Sequence, residues 1–485
     1  MWSYVNVFRD AGQKNGRGAG TELCDLLVVF GDHIVMFSDK HCQFNESIDV
    51  GVAWRRWYSS AIEKSCRQLE GAEKFVKHHP RRLYLDPLCT VPFPISLPQP
   101  ERAIFHLVAV TRGGHKAGER FFGMGSSGTP ILCTTLVGND HYAVPFHIGY
   151  PLPSKRFVHV LDEMAVDVLL GELDTAKDLV DYLSAKEAYI TARPWVNLAG
   201  EEDLLARYMM SETAGRRGLA LDHGGEEDVM VLEEGDWFGY RNGPEQVGRR
   251  FANAESYLWD EIIEWHSSHV QLGVAATAEQ VIGESDFSSD HELVLRAMAS
   301  ESRLARRLLV EQLMAVLVQD VAPGQARTRL VSIDKQRGYV FMAATPETGA
   351  TYQEYRAERA RHARAYVLGF AARLPLLREV VCIVSEPGGQ PGTQDMLYVR
   401  LGDTLSAGEI EAFAELALSR GILRPDTPVV LDGRPRHDFP VKFEITYPPV
   451  KVVACMAGAT QSRKRRGDCR SAAKRRKQTR AAKRR

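Results

Sequence analysis

Three observations predict an α/β fold of several domains. Apolar runs rich in Val, Ile and Phe alternate with amphipathic helical stretches, the chain is 485 residues long, and 44% of its residues are hydrophobic against 25% charged. At about 100–200 residues per domain, the length accommodates about three domains. The pattern divides into an N-terminal α/β domain with a mixed sheet and flanking helices (1–150), a mainly helical region (151–325), a second, smaller α/β module (326–460) and a basic tail (461–485).

In chain order, residues 1–20 end in a Gly- and Lys/Arg-containing loop. Glu22 to Lys40 follows, in which Leu26 to Phe30 and His33 to Phe37 flank Gly31-Asp32. That arrangement predicts two strands joined by a two-residue hairpin turn. The turn fixes the register: Phe30 faces His33, Val29 faces Ile34, Asp25 falls opposite Ser38 and Cys24 opposite Asp39. Period-two alternation then turns Asp25, Ser38 and Lys40 to one side of the sheet. Trp54, Trp57, Tyr58, Ala61, Ile62, Leu69, Ala72, Phe75 and Val76 recur mostly at three and four residues, predicting one amphipathic helix over Val52 to Lys77 that lies on the sheet. A basic connection and a Pro-rich loop (Pro87 to Pro100) lead to a strand at Ala103 to Val110. Short strands are expected around Pro130 to Val137 and His141 to Pro145.

Phe157 to about Leu205 reads as helical and acidic, with Asp174 and Thr175 as an interruption or cap. A Gly-rich acidic loop (Gly218 to Gly235) precedes a helix-dominated stretch, 245–320, whose apolar stripe is Leu304, Leu308, Leu309, Leu313, Val316 and Leu317. The second α/β signal runs strand (Gly338 to Ala344), helix (Tyr352 to Arg373), strand (Glu379 to Ser385), turn, strand (Met396 to Arg400). On that helix Arg356, Arg359, Arg361 and Arg364 spread around the axis, which predicts a solvated face beside an Ala/Leu/Phe stripe.

The eight cysteines form no CxxC pair and no metal-ligand spacing, so they are expected to be small core residues in a reducing compartment. There is no signal-peptide pattern and no run of about 18 apolar residues, which implies a cytosolic protein without a membrane span. Phe121 to Pro130 is Gly-rich but lacks the lysine of a phosphate-binding loop, and reads as a surface turn. His141 and His147 have no third ligand at useful spacing and read as core or surface histidines.

The hairpin and its helix resemble the core of the PD-(D/E)xK nuclease superfamily, the restriction-endonuclease-like fold that includes NERD-type nuclease domains. The resemblance covers the first 150 residues. In that family an Asp on one strand, a D/E-x-K triplet ending the next and often a helical Gln surround one or two Mg²⁺ ions. Asp25 matches the first Asp, Lys40 the Lys and Gln68 the Gln. The resemblance implies Mg²⁺ held by Asp25 and Asp39, with Glu22 in support, and Lys40 positioning the nucleophile for phosphodiester hydrolysis. Ser38 stands where the triplet's acid belongs. A bulge at Ser38 or Asp39 would swing the Asp39 carboxylate towards Asp25; without one, a single carboxylate remains on that face.

The formal net charge of −1 conceals an asymmetry: residues 461–485 carry 13 Lys or Arg and one Asp, a net of +12, against −13 on the first 460. The tail has almost no apolar bulk and is expected to be disordered. Its clusters Arg463, Lys464, Arg465, Arg466 and Lys474, Arg475, Arg476, Lys477 suit phosphate contact with nucleic acid, DNA foremost, without base readout. Two functions follow as expectations. One is an Mg²⁺-dependent endonuclease; the other is a nuclease-fold protein that binds nucleic acid, or assembles, without cleaving.

Overall fold

The computed structural model describes residues 2–12, 18–123, 125–213, 216–219, 229–232, 234–271, 287–332, 336–374, 376–389, 394–400, 406–419 and 429–431. Contacts divide the chain into a unit of residues 1–439 and one of 440–485; the second, with the basic tail, lies wholly outside the described residues. No helix among the described residues is long and apolar enough to cross a membrane.

The first sheet is built on the hairpin. β1 (Ser3–Arg9) lies antiparallel to β2 (Thr21–Phe30), and β2 to β3 (His33–His41), with Phe30 opposite His33 and Val29 opposite Ile34. Gly31 takes φ +58° in the turn, a conformation that glycine adopts without a Cβ clash. The expected helix is present as α1 (Val50–Tyr58), a π-helical turn (Ser59–Glu63) and α2 (Lys64–His78), capped by Asp49, whose carboxylate accepts the amides of Gly51 and Val52. β4 (Leu83–Tyr84) pairs with β1 at one edge. On the other side, β5 (Ile104–Arg112) runs parallel to β3.

Beyond β5, α3 (His115–Phe122), β6 (Ile131–Val137) and β7 (His147–Tyr150) precede β8 (His159–Asp162), which joins β5 in parallel and completes the order β4-β1-β2-β3-β5-β8. The sheet therefore extends past residue 150. One face packs on α1 and α2 through Trp54, Trp57, Tyr58, Ile62 and Leu69 against Leu27, Ile34, Met36 and Leu107. The other packs Val35, Val108, Val110 and Leu161 against α4 (Glu163–Glu172) and α5 (Ala176–Thr191). Thr175 caps α5 by accepting the Asp178 amide, as the sequence suggested.

Two expectations are corrected here. His141 to Pro145 is not a strand, because His141 belongs to a 3₁₀ turn over 138–143, where its imidazole meets the Gly138 carbonyl at 2.7 Å and accepts the Gly149 amide at 2.8 Å. The stretch 157–205 is not wholly helical. Alongside α4, α5 and α6 (Glu201–Met210) it contains β8 and also β9 (Trp195–Leu198), which sits in a second sheet with β6, β7 and a later strand, β12 (Val229–Leu232), in the order β12-β9-β6-β7. Two-residue strands β10 (Glu212–Thr213) and β11 (Arg216–Arg217) pair with each other, and β12 (Val229–Leu232) lies parallel to β9.

Helices α7 (Asp236–Asn242), α8 (Pro244–Asn253), α9 (Tyr257–Gln271), α10 (Phe287–Ala299) and α11 (Arg303–Leu317) follow, and Leu308, Leu309, Leu313, Val316 and Leu317 of the expected stripe are buried. A third sheet, β16-β15-β14-β13-β17, contains β13 (Ala326–Ser332), β14 (Arg337–Ala344), β15 (Glu379–Ser385), β16 (Asp395–Arg400) and β17 (Val429–Leu431). Its strands pack on α9, α10 and α11 on one face and on α12 (Tyr352–Arg373) on the other; α13 (Ala407–Ser419) follows β16. The arginines of α12 do not all form a solvated face. Arg359 is 2% exposed and is paired with Asp395, which also takes Arg356, so charge enters the core beside the apolar stripe.

Candidate functional site

The residues singled out at the end of the hairpin fall on two faces of one strand. Ser38 is fully buried on the side of Ile34 and Met36, and its hydroxyl donates to Ser65 Oγ of α2 at 3.3 Å. Asp39 belongs to the opposite face. The parallel ladder between β3 and β5 runs without a shift from His33 to His41, so there is no bulge to rotate it, and its carboxylate takes the Arg112 guanidinium at 3.0 and 3.1 Å. That pair holds Arg112 above its ordinary pKa, through the hydrogen bond to Asp39.

The β2–β3 ladder ends at Leu26 opposite Phe37, and the Asp25 carboxylate takes over by accepting the Asp39 amide at 2.7 Å. Glu22 is exposed one turn of the chain earlier, paired across to Phe8. Lys40 and Gln68 are half-buried and make no side-chain hydrogen bond or ion pair among the described residues. The hairpin thus gathers one carboxylate, a buried serine and two uncommitted polar side chains. Mg²⁺ is usually held by one or two carboxylates with water completing its shell, and here Glu22, Asp25 and Asp39 do not form a three-donor group while the Asp39 carboxylate is taken by Arg112. The expected Mg²⁺ site does not fit these residues.

Around the C-terminal ends of β5 and β8, Asp162, Glu163 and His115 are paired. Asp162 caps α4 through the Ala165 amide at 2.8 Å and holds His115 Nδ1 at 2.7 Å; this hydrogen bond raises the His115 pKa, against the effect of burial. The Gly-rich segment 121–130 is tied down at its end, since the buried Thr129 hydroxyl donates to the Glu202 carboxylate at 2.8–2.9 Å. Burial pushes Glu202 up to about 7. The eight basic residues named in the tail lie outside the described residues.

At the opposite end of the same strands is a cluster that sequence reading missed. Among the described residues, one group of three potential ligands has a donor atom from each within 4.8 Å of the others: His106 on β5, His159 on β8 and Glu187 on α5. Both histidines are 1% exposed. His106 Nε2 lies 2.9 Å from His33 Nδ1, while His106 Nδ1 and both ring nitrogens of His159 have no partner among the described residues. A buried polar group without a partner costs about 1–3 kcal/mol, so three in one place is a large concession for a fold to make. Burial, with His33 and Arg156 nearby, lowers His106 to about 4; burial, Lys186, His106 and Arg156 lower His159 well below its ordinary value. Both are neutral imidazoles with lone pairs available. The only hint in the sequence was a histidine inside each of two apolar runs, Phe105-His106-Leu107 and Val158-His159-Val160.

No family model, curated protein or solved structure matches this chain.

Proposed function

We propose that the N-terminal domain is a nuclease-like module that engages the phosphodiester backbone of nucleic acid, DNA foremost, without cleaving it. The observation that carries this reading is the placement of Asp39. With its carboxylate on the far face and held by Arg112, the site keeps one acid, Asp25, and is left without the second oxygen ligand that metal-assisted hydrolysis needs. Lys40 and Gln68, uncommitted and half-buried, are suited to a phosphate oxygen as cationic and neutral donors. The strand, strand, helix, strand order around them, with β5 parallel to β3, agrees with the resemblance. The net charge of +12 over residues 461–485 would supply non-specific affinity.

The test uses the full-length chain and a labelled duplex, with anisotropy read across a salt series and a supercoiled plasmid incubated with Mg²⁺ in parallel. Binding is expected to weaken steeply with salt. Deleting residues 461–485 should remove most of it, and Lys40→Ala should lower the salt slope by about 1 with little dependence on base sequence. The plasmid should remain intact. Salt-independent binding, or binding unaffected by both changes, would sink the proposal. Mg²⁺-dependent nicking abolished by Asp25→Asn would replace it with the cleaving enzyme.

A further inference from the structure

We propose that His106, His159 and Glu187 bind a divalent transition-metal ion, zinc by preference, at the N-terminal ends of β5 and β8. The strands bring the two histidines together: His159 is one strand over from Val108, and His106 shares the face of Val108 and Val110 that α5 covers with Glu187. Two imidazoles and one carboxylate form a donor set for zinc and its first-row neighbours, whereas Mg²⁺ and Ca²⁺ take oxygen ligands. The group contains no thiol.

Two of the three ligands, His106 and Glu187, also have an outer partner that would orient them. His33 meets Nε2 of His106, which leaves Nδ1 for the ion. Arg156 donates to Glu187 Oε1 at 2.8 Å and is itself fixed by Glu73 at 3.0 Å and the Phe105 carbonyl at 2.7 Å, so the second carboxylate oxygen of Glu187 remains open. Such outer-shell bonds fix ring and carboxylate orientation in metal centres. His106, Glu187, Arg156 and Phe105 also line an open groove between α2 and α5. Three protein ligands, two of which line the groove, leave a coordination position for water.

Local charge favours neither side. Glu70, Glu73, Glu187 and Glu201 are matched by Lys74, Lys77, Arg156 and Lys186. Donor separations of up to 4.8 Å exceed those around a tetrahedral ion bonded at about 2.0–2.2 Å. Loading would therefore draw the three side chains together, which the partly exposed Glu187 can do most easily.

The experiment strips the full-length protein with chelator, reloads it with Zn²⁺ or Co²⁺, and compares it with Glu187→Gln and His159→Gln, all checked by circular dichroism for retained fold. The wild type should keep one equivalent of zinc through dialysis, with a rise in thermal midpoint. Its Co²⁺ form should show ligand-field bands of a low-coordinate nitrogen–oxygen site without the thiolate charge-transfer band that binding at any of the eight cysteines would give. Glu187→Gln, which preserves the shape of the side chain and its bond to Arg156, should bind at least roughly tenfold more weakly. Substoichiometric zinc, a thiolate band, equal uptake by Glu187→Gln, or Mg²⁺ binding as well as zinc would each overturn the proposal and leave the imidazoles to ordered water. None of these readouts depends on nucleic acid, so the outcome is separate from that of the phosphodiester proposal.

Discussion

Replacing Asp395 with Asn tests whether charge is truly buried in the third sheet. Asp395 opens β16 with a side chain 4% exposed, and two guanidinium groups converge on it, Arg359 on one oxygen and Arg356 on the other. Arg359, at 1%, also meets the Tyr355 hydroxyl at 3.2 Å, a carbonyl at the limit of bonding distance and the Glu386 carboxylate at 4.0 Å. Burial works against its charge, and Asp395 and Tyr355 more than offset that, so its pKa is raised. Asn fills the same space and removes the negative charge, leaving the desolvated guanidinium with the more distant Glu386 carboxylate as an opposite charge. Breaking a buried pair from one side costs about 3–5 kcal/mol. Arg359→Met should cost less, about 1–3 kcal/mol, because Asp395 retains Arg356. In the double variant the penalties should fail to add, with coupling of about 0.5–3 kcal/mol. A chain of this size need not unfold in one step, so the assay is local: amide hydrogen exchange in β15 and β16. Each 1.4 kcal/mol is a factor of ten, so Asp395→Asn should accelerate exchange there by roughly 100- to 4,000-fold. An acceleration under tenfold would mean that the pair is hydrated and that the solvated-face reading of α12 stands.

Two pH-dependent predictions follow from the first and second sheets. Glu202 has its pKa raised from 4.5 to about 7 by burial, so its contribution to stability is full below about pH 4.5 and lost as pH rises through about 7; Glu202→Gln, uncharged throughout, should gain on the wild type by about 3 kcal/mol between acid and alkaline conditions, read from denaturant midpoints at several pH values. A constant gap would show that the carboxylate is already solvated. His115 is also raised, by its hydrogen bond to Asp162, with Glu119 and Glu163 adding to the effect; its stabilisation is full below the ordinary value of 6.5 and is lost as pH rises through the raised one. The deficit of His115→Gln should therefore shrink with rising pH in the same titration, and a deficit that grew would contradict the pairing.

What the sequence made legible was what local pattern controls. The hairpin register from Phe30–His33 to Leu26–Phe37 followed from a two-residue turn, though the expected Asp25–Ser38 and Cys24–Asp39 pairs lie past the end of the ladder, and the helix–strand alternation of the third sheet, including the limits of α12 and β15, followed from periodicity. The π-helical turn left no mark, because one inserted residue barely disturbs an apolar spacing already averaging three to four. β8 and β9 were lost inside acidic helical sequence; four residues each, they are strands only because β5 and β6 lie beside them. The same dependence on distant partners hid the buried role of Arg359 and the histidine cluster. His106 and His159 are 53 residues apart in the sequence, with Glu187 a further 28 on, and no ligand spacing links them. The side on which Asp39 lies was open in the sequence because only its ladder with β5 rules out a bulge.

The two sets of uncommitted groups in the first sheet are too far apart to serve one reaction. His106 is level with Val35 on β3, and Lys40 is level with Thr111 on β5, so five residues of strand separate the levels, roughly 16 Å at about 3.3 Å each. They also face opposite ways, Lys40 with Ser38 towards α2 and His106 with Val108 towards α5. An ion held by the histidines would have the full thickness of the sheet between it and a phosphate at Lys40, and screening would leave little of its field there. Zinc at the histidine cluster could not stand in for a carboxylate at position 38. Its effect on nucleic-acid binding would have to pass through the packing of α5 on β5 and β8. The expected signature is a zinc-dependent gain in thermal stability with an unchanged salt slope. A zinc-dependent cleavage lost on Lys40→Ala would require the strands to be arranged differently from the ladder that joins β3 to β5.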